Sequence, residues 1–288
     1  AKSATFRTAD IVGLDTMCYV ANTGYEKCPD DPERDAFKLP EYIKKMVDNK
    51  WLGQKTKQGF YKKIDKGLIY SLDLDTLEYK PMQKKRFAAI TLAKEKTYLR
   101  DRLKAILQSD DVAGEFLWKT FSRTLLYASN LLGDIADDIY SIDKAMKLGF
   151  GWELGPFEVL DAIGLENFVK RVESEGSKVA PWMKDMLNSG FTCMYVLIDG
   201  KKEYYCPIKK DYKTFNHHKK EIYFDILKSK NNVIKKNWSA SLVDLDDGVA
   251  GVELHSVLKP ELNPIDGSMM ETVAYALNWV KENKYKGL

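Results

Sequence analysis

Apolar residues recur at helical spacing along most of this chain, with short alternating stretches between the helical runs. Ile11, Leu14, Met17, Cys18, Val20 and Ala21 predict a helix through residues 5–28, ending in the breaker cluster Cys28-Pro29-Asp30-Asp31-Pro32. Leu39 to Val47 predicts a second helix, with Pro40 in its first turn and a stop near Gly53. Residues 60–72 predict a hairpin, with Ile64, Leu68 and Tyr70 in the strands and Asp65-Lys66-Gly67 as the turn. Residues 73–81 read as an extended polar segment lying along the surface. Long helices follow over 87–107 and 112–132. The second is apolar all round (Phe116, Leu117, Phe121, Leu125, Leu126, Leu131) and is expected between neighbours. Ser141 predicts an N-cap for a helix over 141–148 that stops at Gly149. Helices over 156–172 and 181–187 and a hairpin over 191–206, turning at Asp199-Gly200, complete this region.

After Pro207 the pattern changes. Residues 208–237 are rich in lysine and weakly periodic, which reads as a linker or a poorly packed helical connector. Residues 242–255 alternate around Asp246-Asp247-Gly248 as a further hairpin, and 268–281 form an amphipathic helix through Met269, Val273, Ala276, Leu277 and Val280. Tyr285 to Leu288 reads as the entrance to another strand.

The order of elements repeats, and so do their residues. Residues 5–15 and 156–166 share Phe6/Phe157, Asp10/Asp161, Gly13/Gly164 and Leu14/Leu165 at an offset of 151. Downstream, residues 43–47 match 183–187 at an offset of 140, and 60–65 match 194–199 at an offset of 134. A period this long exceeds that of solenoid repeats and indicates two copies of one small domain. The first copy begins inside its motif at the start of the sequence, so the chain is expected to be a piece of something larger.

Composition narrows the function classes. With 288 residues the chain can hold more than one core, and 45 basic residues interspersed among 42 acidic ones leave a net charge of only +3. Basic runs such as Lys84-Lys85-Arg86 therefore read as solvated faces, and nucleic acid is not an expected partner. No apolar run approaches the ~20 residues that span a bilayer, and the N-terminus has no signal-peptide core, so no membrane association and a cytoplasmic location are expected. Cys18, Cys28, Cys193 and Cys206 lack metal-ligand spacing and read as free thiols; Cys193 and Cys206 flank a hairpin and could face each other.

Candidate chemistry is sparse. Glycines 149, 151 and 155 approach a dinucleotide fingerprint, but the third falls one residue late and the run joins two helices, which favours a simple turn. His217-His218 reads as solvated, and His255 has no placeable partner. Asp10 and Asp161 could be acids facing a cleft, but with no accompanying histidine they read better as structural carboxylates accepting backbone N–H bonds. Gly13 and Gly164 are expected at close packing or sharp turns. No self-sufficient catalytic constellation is expected here.

Residues 2–16, from Lys2 to Thr16, and residues 51–61, from Trp51 to Tyr61, resemble the C-terminal helical domain of 3-hydroxyacyl-CoA dehydrogenases. The second copy resembles it more closely, since 141–149 followed by 155–161 match that family's D-x-A-M-x-x-G…G-P-F-x-x-x-D signature. The pattern K-T-G-x-G-F-Y appears as residues 55–61 with Lys57 at the first glycine. Residues 240–250, and Asn263-Pro264-Ile265 opening a helix, resemble the start of the enoyl-CoA hydratase (crotonase) fold.

The resemblance implies a mainly α fold: two tandem helical domains like the C-terminal domain of 6-phosphogluconate dehydrogenase, with small β-hairpins, plus a partial crotonase-like hairpin and helix. Its expected boundaries are 1–82 and 83–207 for the two copies, 208–238 for the linker and 239–288 for the crotonase start. It further implies the central section of a bifunctional β-oxidation enzyme, an oxidoreductase and lyase that hydrates 2-enoyl-CoA and oxidises 3-hydroxyacyl-CoA. NAD would be held by a Rossmann domain and the substrate is a coenzyme A thioester, with no metal. Partners would be the Rossmann and crotonase domains of the same chain, and a homodimer is compatible with the family. No catalytic residue is expected in this segment; Lys2, Ser3 and Phe6 would lie nearest the substrate. Ser122-Arg123 stands where the family's substrate-orienting Asn-Arg would be, so the second copy would have lost that role and would replace a partner subunit. The competing readings are a non-catalytic helical scaffold that binds a CoA ester, and an enzyme restricted to crotonyl-CoA in carbon assimilation.

Overall fold

The helix expected over residues 5–28 is two helices, because Gly13 leaves helical space at φ 102° and ψ 130°. Its N–H closes α1 (Thr5–Val12) onto Ala9, while the next amide, that of Leu14, donates out to Leu52 as α2 (Leu14–Lys27) begins. Gly164 makes the same break at φ 89°, between helices at 156–163 and 165–174. Apolar spacing runs unbroken through both sites, so periodicity alone does not show the corner. The two glycines meet the expectation of a sharp turn.

The computed structural model describes residues 4–64, 67–83, 85–198, 200–215, 221–257 and 262–288. The chain divides into a first unit, residues 1–86, and a second, residues 87–288. Twelve α-helices and nine short strands in three antiparallel sheets occur among the described residues, a mainly α architecture.

In the first unit, α3 (Glu41–Asp48) follows Pro40, and Leu14, Ile43, Met46, Phe60 and Leu72 form the core. The expected hairpin is a three-stranded sheet of β1 (Tyr61–Lys63), β2 (Ile69–Leu72) and β3 (Tyr79–Pro81), in that order. The segment expected as an extended surface strip thus supplies a paired strand. Tyr79 is why it docks: its hydroxyl donates to the Gly59 carbonyl at 2.5 Å and its ring meets Trp51 edge-on at 5.6 Å. The expected turn residues Asp65 and Lys66 lie outside the described residues.

The second unit opens with α4 (Ala88–Lys94) and α5 (Leu99–Leu107) where one helix was expected. Next come α6 (Val112–Asn130), α7 (Ile139–Phe150), α8 (Pro156–Ile163), α9 (Leu165–Ser174) and α10 (Pro181–Asn188). Asp111 caps α6 by accepting from Gly114 N–H at 2.8 Å and also holds Ala89 N–H of α4 at 2.9 Å. The apolar helix α6 is buried on one face only, through Trp118, Leu125 and Ala128, while Val112 and Phe116 are exposed. The N-cap of α7 is Asp138, not Ser141: its carboxylate accepts from the Ser141 amide at 2.7 Å, and Ile139, ahead of Ser141, is buried in the core. The helix also runs past Gly149 to Gly151, whose φ of 65° suits a glycine cap.

A second three-stranded sheet follows: β4 (Tyr195–Ile198), β5 (Lys201–Cys206) and β6 (Asp211–Thr214). The lysine-rich stretch 208–237 holds β6, α11 (Phe224–Ser229) and β7 (Val233–Lys236), so most of its described residues have regular structure. Lysines need not prevent this in edge strands, where their stems lie along the sheet and their charges reach water. Strands β7, β8 (Ala240–Asp244) and β9 (Ala250–Leu254) form the third sheet, and α12 (Gly267–Glu282) packs on it through Ala276. Gly287 bridges Val249 in parallel, which fits the expected strand entrance.

Candidate functional site

The repeated aspartates are buttresses for the sheets. Asp10, on α1, accepts from the amides of Phe60 and Tyr61 at 2.8 and 2.9 Å. Asp161, on α8, accepts from Met194 and Tyr195 at 2.5 and 2.9 Å. Each carboxylate thus ties the helix of the repeated box in its copy to the start of the sheet, 50 and 33 residues downstream respectively. A tyrosine completes each latch from the third strand: as Tyr79 donates to the carbonyl of Gly59, Tyr212 donates to that of Cys193. The structural reading of the two aspartates holds, with the correction that the amides belong to the sheet and not to the helix's own first turn. Burial raises both pKa values against the lowering effect of the amides, and Asp161 is pushed to about 6.

The second copy adds another buried acid, the aspartate that opens the D-x-A-M-x-x-G signature. Asp143, on α7, accepts from the amides of Phe157 and Glu158 at 2.8 and 3.0 Å and from the Tyr195 hydroxyl at 2.7 Å. Burial raises it to about 7. Tyr195 thereby joins Asp143 through its hydroxyl and Asp161 through its amide. Every partner here is a protein group, and the cluster works as a strut.

The copies differ in what lies beside the latch. The fall in repeat offset from 140 to 134 means that the second copy is six residues shorter between its second helix and its sheet. In the first copy those extra residues form a tight loop, Gly53 to Gln58, closed by reciprocal backbone bonds of 2.7 and 3.1 Å. Its packing explains two glycines. A Cβ on Gly53 would lie 2.3 Å from the Asp10 carbonyl oxygen, and one on Gly59 would lie 2.1 Å from Asp10 Oδ1. Lys55 of this loop pairs with Asp15 at 2.5 Å. Lys57, which stands where the family's pattern has its first glycine, sits in the left-handed region at φ 61°, a conformation that costs a lysine about 1 kcal/mol.

The loop, α1 and the β1–β2 hairpin enclose a cleft of about 1130 Å³ lined in part by Arg7, Asp10, Gln54, Lys57, Lys62 and Lys63. The Arg7 guanidinium lies 2.6 Å from the Gln54 side-chain oxygen in the amide orientation that satisfies both groups. Among the described lining residues, four cations thus face the carboxylate of Asp10, which already accepts two amides. In the second copy the counterpart of Arg7 is Glu158, which accepts from Gly155 N–H at 2.9 Å and pairs with Lys147 at 2.9 Å. The sign of charge at this position is therefore reversed between copies.

Of the residues expected nearest substrate, Lys2 and Ser3 lie outside the described residues. Phe6 stands in the first turn of α1 with its ring centroid 4.4 Å from that of Phe60, and is 42% exposed where its counterpart Phe157 is fully buried. Sequence reading did not find the cleft cations. The signal was present in the six-residue length difference, which falls on the segment that carries Gln54 and Lys57. Ser122 stays within α6, its hydroxyl directed at the Lys119 carbonyl. His255 meets Ser241 through Nε2 at 2.9 Å, and Glu253 approaches the same nitrogen at 4.0 Å. A relay needs the acid on the opposite ring nitrogen, and Ser241 is fully buried, so the trio is not a nucleophile site. His217 and His218 lie outside the described residues. Gly149 and Gly151 close α7 and Gly155 opens α8, with no strand before them, so the run does not form a dinucleotide site. All four cysteines are free, and no cluster of metal-ligating side chains occurs among the described residues. No described helix is long and apolar enough to cross a membrane.

These features agree with relatives found by comparison. Residues 1–63 and 116–192 match the family model for the 3-hydroxyacyl-CoA dehydrogenase C-terminal domain. The chain is 44% identical over 287 residues to a probable 3-hydroxyacyl-CoA dehydrogenase of Bacillus subtilis, covering all of this chain and 35% of the relative. It is 26% identical over 243 residues to a putative fatty acid oxidation complex trifunctional enzyme of Rickettsia felis, covering 83% of this chain and 29% of the relative. The chain thus spans about a third of the length of these curated relatives. Two segments of the chain, each carrying one latch aspartate, are therefore 3-hydroxyacyl-CoA dehydrogenase C-terminal domain sequence: residues 1–63 and 116–192.

Proposed function

We propose that this chain is the central section of an NAD-dependent 3-hydroxyacyl-CoA dehydrogenase fused to an enoyl-CoA hydratase, and that its first unit forms one wall of the acyl-CoA cleft. The observation that carries this reading is the asymmetry of the copies: the first keeps a cation-lined cleft beside the latch, whereas the second has a shorter connection and an acid in place of Arg7. A thioester substrate brings phosphates and a long apolar chain, and the cations and the half-exposed Phe6 suit those two parts. Lys2 and Ser3, which precede Thr5 in the sequence, would belong to the same wall in this reading. The second copy would then stand in for the partner subunit of simpler relatives. The similarity to enzymes named as trifunctional supports a fused arrangement, and the third sheet with α12 supports the crotonase start.

The chain's own residues would bind and orient, while NAD supplies the hydride acceptor from a separate dinucleotide-binding domain. This 288-residue chain is therefore expected to bind crotonyl-CoA but to form no NADH from 3-hydroxybutyryl-CoA and NAD. Titration calorimetry and absorbance at the NADH band check the two halves. Turnover by the chain alone would overturn the division of labour, and absence of CoA-ester binding would overturn the cleft wall.

A further inference from the structure

Among the described residues, no ion pair is made by Arg7, Lys57, Lys62 or Lys63, which share one cleft, whereas three other cations of the first unit are paired: Lys38 with Asp35, Lys55 with Asp15, Lys80 with Asp73. In a chain whose net charge is only +3, four unpaired cations around one cleft form a local excess. Among the described lining residues the carboxylate is Asp10, which accepts the amides of Phe60 and Tyr61 and attracts Arg7, so positive charge still outnumbers negative. A cleft lined by one sign of charge concentrates counter-ions of the other. Lys57 adds a second observation. It is one of nine non-glycine residues at positive φ among the described residues, and what sets it apart is the self-bonded loop that holds it beside the cleft. That loop is absent from the second copy, where Glu158 replaces Arg7. The excess is therefore a property of one copy and not of the fold.

We infer that the cleft of the first unit is a phosphate subsite, in which Arg7 and Lys57 grip a phosphate or diphosphate group and Lys62 and Lys63 extend the positive wall. Arginine suits this role through its two-pronged donor geometry, and lysine as a mobile point charge. The inference rests on the acyl-CoA reading only for the source of the phosphate. The 3′-phosphate of a CoA ester, its diphosphate bridge and the diphosphate of a dinucleotide share the chemistry the cleft would recognise.

The test is calorimetric titration of the 288-residue chain at low salt with inorganic pyrophosphate, CoA, dephospho-CoA, NAD and crotonyl-pantetheine. Pyrophosphate is expected to bind, with Arg7→Gln and Lys57→Gly each weakening it by about 5- to 10-fold, the scale of one lost charge-assisted contact. Raising the salt should weaken it further as screening takes hold. Lys57→Gly relieves the positive φ, so its loss of binding is not a loss of folding, and circular dichroism verifies this. A drop from CoA to dephospho-CoA assigns the 3′-phosphate, and equal binding of CoA, dephospho-CoA and NAD assigns the diphosphate. Failure of pyrophosphate to bind, or equal binding by all three proteins, overturns the inference. If crotonyl-pantetheine and crotonyl-CoA bind wild type and both variants alike, the cleft wall stands and the phosphate subsite falls. If pyrophosphate binds in the expected order and no CoA ester does, the subsite stands and the acyl-CoA reading falls.

Discussion

Asp10 and Asp161 hold equivalent pairs of amides, Tyr79 and Tyr212 hold equivalent carbonyls, and Gly13 and Gly164 turn equivalent corners. Around this shared frame the copies have diverged. The first carries a self-bonded loop, a strained lysine and an excess of positive charge, while the second fills the same surroundings with a buried acid and a half-buried ion pair between Lys147 and Glu158. The difference teaches which residues serve the fold and which serve a ligand. What recurs in both copies is architecture; what occurs beside only one latch is the better candidate for recognition.

The largest expected effect tests the shared frame. Asp10→Ala and Asp161→Ala each leave two backbone amides without their partner, and each is expected to destabilise its own unit by about 2–5 kcal/mol. Urea unfolding with hydrogen exchange at Phe60, Tyr61, Met194 and Tyr195 checks this. A cost confined to one copy would break the equivalence.

Next comes Gly59, whose counterpart is Cys193. Gly59→Ala drives a Cβ into the Asp10 carboxylate and is expected to cost about 2–3 kcal/mol, whereas Cys193→Gly removes an exposed side chain and should cost under about 1 kcal/mol. Thermal unfolding of the two variants gives the contrast. Similar costs would show that the six-residue loop does not explain the glycine.

Titration separates the copies further. Asp143 and Asp161 have folded pKa values of about 7 and about 6, above their unfolded value of 3.8, so between those limits the folded chain holds more protons than the unfolded one. Stability from these groups therefore falls as pH rises from about 4 to 7, by at most about 1.4 kcal/mol per pH unit for each group. The acids of the second unit with lowered pKa values, Asp111, Glu166 and Asp266, act in the opposite sense, but only as pH falls below the ordinary carboxylate range. Urea midpoints of the second unit should accordingly rise from pH 7 to pH 5.5, and Asp143→Asn should flatten that rise. An unchanged slope in the variant would sink the assignment.

The smallest effect concerns strain. Lys50 and Lys57 both lie at φ 61°, and Lys50 corresponds to Gly190, at φ 84°. Both lysine-to-glycine changes should stabilise the first unit slightly, by about 0.5–1 kcal/mol. Only the change at Lys57 should alter phosphate binding.

Much of the fold was legible in the sequence, because helical spacing, Pro40, Pro181 and the recurring box are local signals. The corners at Gly13 and Gly164 were not, since apolar spacing continues through them and only the backbone angle departs. The third strands escaped for another reason. Residues 79–81 and 211–214 carry few apolar residues, and each docks through one tyrosine hydroxyl reaching a distant carbonyl. Of the site, the sequence marked Phe6 and the unusual Lys57, but Arg7, Lys62 and Lys63 became candidates only when folding placed them around one cleft.

The latch also has a meaning in time. Each aspartate closes a loop of chain, 50 residues in the first copy and 33 in the second, before its amides can be held. The difference in closure entropy between loops of those lengths is only about 0.4 kcal/mol, less than a factor of two in rate. Loop length therefore gives neither copy a decisive start in folding. The longer connection that carries the cleft could be accommodated at almost no kinetic penalty.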